Sequence, residues 1–151
     1  MEKDNLNILL IDDDVKFLGS LAERIKLKGY EPLTAVDGQK AIEIAKKNKI
    51  HVAVVDQRLP DMEGLAVITK LKAIHTDIKT ILLTAYGDEK LKEASEALNS
   101  SYFDKEDMGK FWGFVRTVLR KLETTMAAAG MATGGDLKDA VDIDSPKDTN
   151  D

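Results

Sequence analysis

The 151-residue chain has no cysteine, only two histidines and no long apolar run. Without thiols there is no disulfide framework, no Cys-ligated zinc site and no thiolate nucleophile, and a reducing cytoplasm is the expected compartment. No stretch approaches the roughly 18 apolar residues of a membrane span. Met1–Asn5 is short and charged, with no apolar signal segment behind it, so neither export nor membrane insertion is expected. Excess basic charge is missing too. Residues 1–122 carry 20 acidic and 20 basic side chains, and residues 123–151 carry seven acidic and two basic, so the tail accounts for the whole net charge of −5. A neutral body with an acidic tail lacks the basic footprint of a nucleic-acid binder. At about 100 to 200 residues per domain, the length accommodates one globular domain and no separate DNA-binding output module.

What is present is an alternation of short apolar runs with helical stripes. Leu6–Ile11 reads as a buried strand that stops at Asp12, Asp13 and Asp14. Phe17, Leu18, Leu21, Ala22 and Ile25 have helical spacing, with Gly29 placed as a C-cap. A second strand, Glu31–Val36, contains Pro32 and so belongs at a sheet edge; Asp37-Gly38 leads from it into a helix with Ala41, Ile42 and Ala45. His51–Val55 ends at Asp56, and a helix with Leu65, Ile68, Leu71 and Ile74 follows. Thr80–Leu83 ends at Thr84, a less apolar helix spans about Asp88–Leu98, and a short fifth strand at Tyr102 and Phe103 ends near Lys105. The last helix carries Met108, Phe111, Trp112, Val115, Val118, Leu119 and Leu122 on one stripe, with Phe114 off its centre and available for docking. Beyond Leu122 the pattern fails: Ala127–Gly135 reads as a flexible linker and Asp136–Asp151 as a disordered acidic tail, with a marginal helix at Leu137–Ile143. The expected domains are therefore 1–122 and a tail over 123–151.

Five near-continuous apolar strands alternating with five helices specify an α/β fold with a parallel sheet covered on both faces. Sites in such sheets lie beyond the carboxyl ends of the strands. Asp12 and Asp13, Asp56, Thr84 and Lys105 each follow directly on a strand, so three carboxylates, a hydroxyl and an ammonium surround one crevice. Two carboxylates about 4 Å apart repel by roughly 4 kcal/mol at an effective dielectric near 20, so the cluster calls for a cation. Oxygen-only ligands with room for water suit Mg²⁺. A cation beside Asp56, faced by Thr84 and Lys105, is equipment for phosphoryl transfer. Taken singly, these residues have plainer roles: Asp14 caps the first helix, and His51 and His75, without acidic partners at ligand spacing, are structural or exposed.

At these positions the sequence resembles the receiver domains of two-component response regulators over approximately residues 6–122. The matching segments are ILLIDDD, VVDQRLPDMEG with Asp56, Pro60 and Gly64 in D-x3-P-x3-G spacing, LLTA, and YFDK. The resemblance implies a flavodoxin-like sheet of order 2-1-3-4-5. It implies that Asp56 accepts a phosphoryl group from a histidine kinase or phosphotransfer protein. Asp13, Asp56 and the Arg58 carbonyl would hold Mg²⁺, with Asp12 acting through water. Lys105, Thr84 and the adjoining Ala85 would bind the phosphate, and Thr84 would let Tyr102 turn inward as a switch. A downstream protein would dock on the face of the fourth helix, fifth strand and fifth helix, and phosphorylation could bring two copies together. Arg58 and Tyr86 correspond to positions that tune water access to the acyl phosphate, and two bulky side chains there predict slow hydrolysis. Two departures stand out: Glu106 replaces the proline usual after the lysine, and Leu98-Asn99 replaces a small Gly-Ala pair.

Two other readings use some of the same residues. Asp12-x-Asp14-Val15 imitates the opening of a haloacid-dehalogenase-type Mg²⁺ phosphatase, though no late paired-Asp motif follows and Asp56 would have no role. A degenerate receiver, unphosphorylated and used as a scaffold, would bind neither Mg²⁺ nor phosphoryl.

Overall fold

The computed structural model describes residues 6–135. Strands and helices alternate throughout: β1 (Ile8–Ile11), α1 (Val15–Leu27), β2 (Leu33–Ala35), α2 (Gly38–Lys47), β3 (Val52–Val55), α3 (Gly64–Ile74), β4 (Lys79–Thr84), α4 (Glu89–Ala97), β5 (Ser101–Asp104) and α5 (Met108–Gly135). The five strands form one parallel sheet in the order β2-β1-β3-β4-β5, the flavodoxin-like arrangement the resemblance implies. Register runs from Thr34 through Leu10, Val54 and Ile81 to Ser101. β2 lies at an edge, and Pro32 stands just outside it, where its missing N–H costs no ladder bond.

Side chains alternate across the sheet. Leu9, Ile11, Ala53, Val55 and Leu82 pack with Ala41, Ala45, Val67, Ile68 and Leu71 of α2 and α3 in one core cluster. The other set, Ile8, Leu10, Val52, Val54, Ile81 and Leu83, is buried as completely. Both faces are therefore covered, which is why the strands read as continuous apolar runs rather than alternating ones.

Local chemistry sets the helix ends. Asp14, Asp37 and Asp88 each accept a bond from the amide three residues on, capping α1, α2 and α4. At the end of α1, Gly29 takes a φ of 99°, and the amides of Gly29 and Tyr30 bond back to Lys26 and Ile25, a Schellman closure. The same closure ends α4 without a glycine. Asn99, the side chain that best tolerates the left-handed region, has φ 59°, and the Asn99 and Ser100 amides reach Glu96 and Ser95. The Leu98-Asn99 departure thus leaves the turn intact.

The chain divides into a unit ending at Phe111 and a second beginning at Trp112. In the second, Val115, Val118 and Leu119 form a buried stripe, while Trp112 and Phe114 are half-buried. α5 continues to Gly135, where composition predicts a linker over Ala127–Gly135. Alanine is the best helix former, and Ala127–Ala129 carry the helix on against about 1 kcal/mol lost at each glycine. The acidic segment 136–151, with the expected helix at Leu137–Ile143, lies outside the described residues. No helix among the described residues is long and apolar enough to cross a membrane.

Candidate functional site

Asp12, Asp56 and Lys105 are each the first residue past a strand and Thr84 is the last of one, with Asp13 one place beyond Asp12. The Asp12 amide donates to Ala35 O (3.1 Å), the Asp56 amide to Ile11 O (2.9 Å) and the Lys105 amide to Thr84 O (3.0 Å). Three side chains are thereby aimed into one crevice at the carboxyl ends of β1, β3, β4 and β5. Asp12 is 2% exposed, Asp56 7% and Thr84 0%, whereas Asp13 is exposed. One carboxylate oxygen from each of Asp12, Asp13 and Asp56 lies within 4.8 Å of the others.

The Lys105 ammonium lies 2.7 Å from Asp12 Oδ2 and 3.5 Å from Asp56 Oδ1. Its Nζ also sits 4.3 Å from the centroid of the Phe17 ring, a cation–π contact from the first turn of α1. Burial works against the ammonium's charge, but the Asp12 and Asp56 carboxylates more than offset it and hold the group above the ordinary lysine range. Asp56 is pushed up from 3.8 to about 6, first by burial and next by Asp12, with Lys105 pulling the other way. A carboxylate that resists ionisation beside two others is one that a cation would relieve. The donor set, oxygen only and partly open to water, fits Mg²⁺.

Three loops frame the crevice. Asp14 is taken up as the α1 cap, its Oδ1 3.1 Å from the Phe17 amide, so it serves the helix rather than the pocket. At Gly64, where the β3–α3 loop enters α3, a Cβ would overlap the Asp56 carbonyl and lie 2.9 Å from Gln57 Cα, so only glycine lets the chain double back here. The Gln57 side chain accepts from the Leu65 amide (3.1 Å) and so caps α3, a task Glu63 does not perform. Asp61, at the loop's tip, accepts from both the Gly38 and Gln39 amides at 2.8 Å. Those bonds, Gly38 first, keep its carboxyl below the ordinary range. The loop carrying Arg58 is thus fastened to the start of α2. Arg58 Cζ lies 4.2 Å from the Tyr86 ring centroid, so the two side chains stack, and Tyr86 is 66% exposed.

In the β4–α4 loop, Thr84 Oγ1 accepts from the Tyr86 amide at 3.1 Å; Ala85 is exposed. Tyr102, half-buried on β5, lays its phenol on Gly87 beside the Thr84 methyl. After Lys105 the chain is trans, since the described residues contain no cis peptide. Glu106 uses the N–H a proline would lack, donating to Asp104 Oδ1 at 2.9 Å. The two histidines are structural: His51 Nδ1 accepts from the Asn7 amide (3.0 Å), and His75 Nε2 lies 2.8 Å from Ala45 O. Burial, then Lys49, hold His51 below its ordinary pKa, which suits an acceptor.

Sequence reasoning names the carboxylates, Thr84, Lys105, Tyr102, Arg58 and Tyr86, but not Phe17, Gln57, Asp61 or Gly87. Phe17 had one available signal, its position a helical turn after Asp13.

A doubly wound parallel sheet with an acidic pocket and a lysine at the strand ends defines a response-regulator-type receiver. The response regulator receiver domain family matches residues 8–109, and the chain belongs to it. Transcriptional regulatory protein PrrA of Mycobacterium tuberculosis is 37% identical over 78 residues, 52% of this chain but only 34% of PrrA. The chain thus spans about a third of that relative. Sporulation initiation phosphotransferase F of Bacillus subtilis is 29% identical over 102 residues, 67% of this chain and 82% of the relative. Among solved structures, a CheY-like receiver domain protein from Methanospirillum hungatei superposes with a TM-score of 0.73 at 24% identity, covering 80% of this chain and 98% of that one. A chain of the CheX-CheY-BeF3-Mg²⁺ complex of Borrelia burgdorferi gives a TM-score of 0.69 at 24% identity, covering 75% of this chain and 88% of that one. Both structural likenesses are of fold.

Proposed function

We propose that this receiver takes a phosphoryl group onto Asp56 from a phosphohistidine of a sensor kinase or phosphotransfer protein and passes the signal on by protein docking. The observation that carries this reading is the convergence of Asp12, Asp13 and Asp56 within 4.8 Å, with Lys105 spanning Asp12 and Asp56. In the transfer, an Asp56 oxygen forms a bond to phosphorus, the P–N bond breaks, and the imidazole leaves and takes up a proton. Mg²⁺, held by Asp13, Asp56 and the Arg58 carbonyl with Asp12 behind them, would neutralise the charge on the transferring group. Lys105 and the Thr84 hydroxyl then face the phosphoryl oxygens, and the Ala85 amide adjoins them.

Phosphorylation adds about −1.5 to −2 charges at the strand ends. Thr84 and Tyr102 would then bias the surface of α4 and β5 between two arrangements, one of which a partner reads. Moving a 1:99 population to 99:1 takes roughly 5.5 kcal/mol, so partner binding completes what the phosphoryl group begins. A cytoplasmic setting fits the missing cysteines and the soluble kinase domains such a protein serves; activation by dimer formation would use the same surface.

The test is phosphotransfer profiling against candidate histidine kinases. Label should enter the wild type only with Mg²⁺ present and be absent from a folded Asp56→Asn variant. Undiminished labelling of that variant, or turnover of phosphate esters dependent on Asp12 instead, would overturn the assignment.

A further inference from the structure

Gly87 is the last of the three residues between Thr84, which ends β4, and Asp88, the cap of α4. Its backbone does not call for glycine: the described residues at positive φ are Gly29 and Asn99. What excludes a side chain is Tyr102. A Cβ at residue 87 would overlap the phenol oxygen, lie 2.6 Å from Cζ, and stand 3.1 Å from the Thr84 Cγ2. The phenol therefore fills the space that a side chain here would occupy, in a seat made of the Gly87 backbone and the Thr84 methyl. The loop has little freedom to yield, because the Tyr86 amide bonds Thr84 Oγ1 at one end and the Leu91 amide bonds Asp88 Oδ1 at 2.8 Å at the other. Tyr102 has rotatable side-chain bonds and is only half-buried. A methyl at residue 87 and the seated ring exclude one another, and the ring is the part that would move.

We infer that Gly87 is a positioning residue for Tyr102, holding its ring against Thr84 before any phosphoryl group arrives. The inference rests on the reading of Tyr102 as part of the switch and revises one step of it: the ring is seated in advance rather than drawn in by the phosphoryl group. A ligand shifts an equilibrium only by its differential affinity for the two states. With the ring already seated, phosphorylation has little left to do at Tyr102 and acts through Thr84 and its loop. The α4–β5 surface then has an appreciable partner-ready population at rest, and residue 87 sets its size.

The test uses the full chain labelled with ¹³Cζ-tyrosine, with signals assigned through Tyr30→Phe and Tyr86→Phe. In the metal-free protein, Gly87→Ala should move the Tyr102 signal towards that of an exposed tyrosine, while Mg²⁺ with beryllofluoride should leave the wild-type signal near its resting position. A thermal cycle adds an independent readout: Gly87→Ala should raise Tm in a Tyr102→Ala background, where the seat is empty, and lower it in the wild type. An unmoved Tyr102 signal in Gly87→Ala overturns the proposal, as do equal Tm shifts in the two backgrounds. So does a large wild-type shift on adding beryllofluoride. If, in a second sample labelled uniformly with ¹⁵N, Mg²⁺ with beryllofluoride moves no amide resonance of Asp56, Thr84 or Lys105, the phosphoacceptor reading fails, and the metal-free tyrosine comparison still decides the seat.

Discussion

Lys105 and Asp12 form the closest ion pair of the pocket, with Nζ 2.7 Å from Oδ2 and the side chains 16% and 3% exposed. The lysine is thus engaged by the acidic cluster, and it is the cation that restrains the Asp56 pKa. Replacing it with the similarly shaped, neutral methionine should carry the Asp56 midpoint above about 6. Carboxyl ¹³C NMR across pH 4 to 9 reads this directly, and an unchanged midpoint would show that Lys105 does not govern Asp56. Tm should fall at pH 8, where two buried carboxylates lose their common partner.

Asp56 also dictates a pH dependence of stability. Its folded pKa is raised from 3.8 to about 6, so its contribution is complete below the unfolded value and is lost as pH rises through the folded one. At pH 8 the ionised group weighs against the metal-free fold by on the order of 3 kcal/mol at most. Asp56→Asn should therefore be more stable than the wild type in urea unfolding at pH 8 with a chelator, and the gap should close at pH 4. Mg²⁺ should raise the wild-type Tm at pH 8 and do less at pH 5, where protons compete; a chelator should reverse the gain. A gap that widens on acidification would contradict the burial argument.

Phe17 offers a separate handle on the lysine. A partly buried cation–π contact contributes about 1 kcal/mol, or about fivefold in a rate that depends on Lys105 being in place. Phe17→Leu should slow labelling by a small phosphodonor such as acetyl phosphate by about that factor, while Phe17→Tyr, which keeps the ring, should restore it. Equal rates in all three proteins would reduce Phe17 to helix packing.

The parts of the molecule legible in the sequence are those whose signals are local. Asp12, Asp56 and Thr84 announce themselves because an apolar run stops at each, and a parallel sheet gathers all strand ends to one side. Element types follow from the same periodicities, and Asp14, Asp37 and Asp88 sit where caps belong. The rest depends on groups that meet only after folding. Asp61 bonds amides 22 and 23 residues away, and no spacing rule joins it to Gly38. Gly87 reads as one more loop glycine until the ring of Tyr102 is seen lying on it. The extension of α5 to Gly135 was hidden by composition, since glycine among alanines signals a linker as readily as a weak helix.

The stack of Arg58 on Tyr86 gives the slow-hydrolysis expectation a physical form. The two side chains come from the loops that follow β3 and β4, and they meet with Arg58 Cζ 4.2 Å from the Tyr86 ring centroid. Tyr86 is largely in solvent, so the stack contributes about 0.5 to 1 kcal/mol and opens readily. If the stack shields the acyl phosphate from water, removing the contact should speed the loss of phosphoryl by about two- to fivefold. Tyr86→Ala and Arg58→Ala should each show this acceleration in the decay of labelled protein. The double variant should decay little faster than either single one, because both changes abolish the same contact. Multiplying effects would instead mean that the two side chains shield Asp56 independently, with the stack incidental to both.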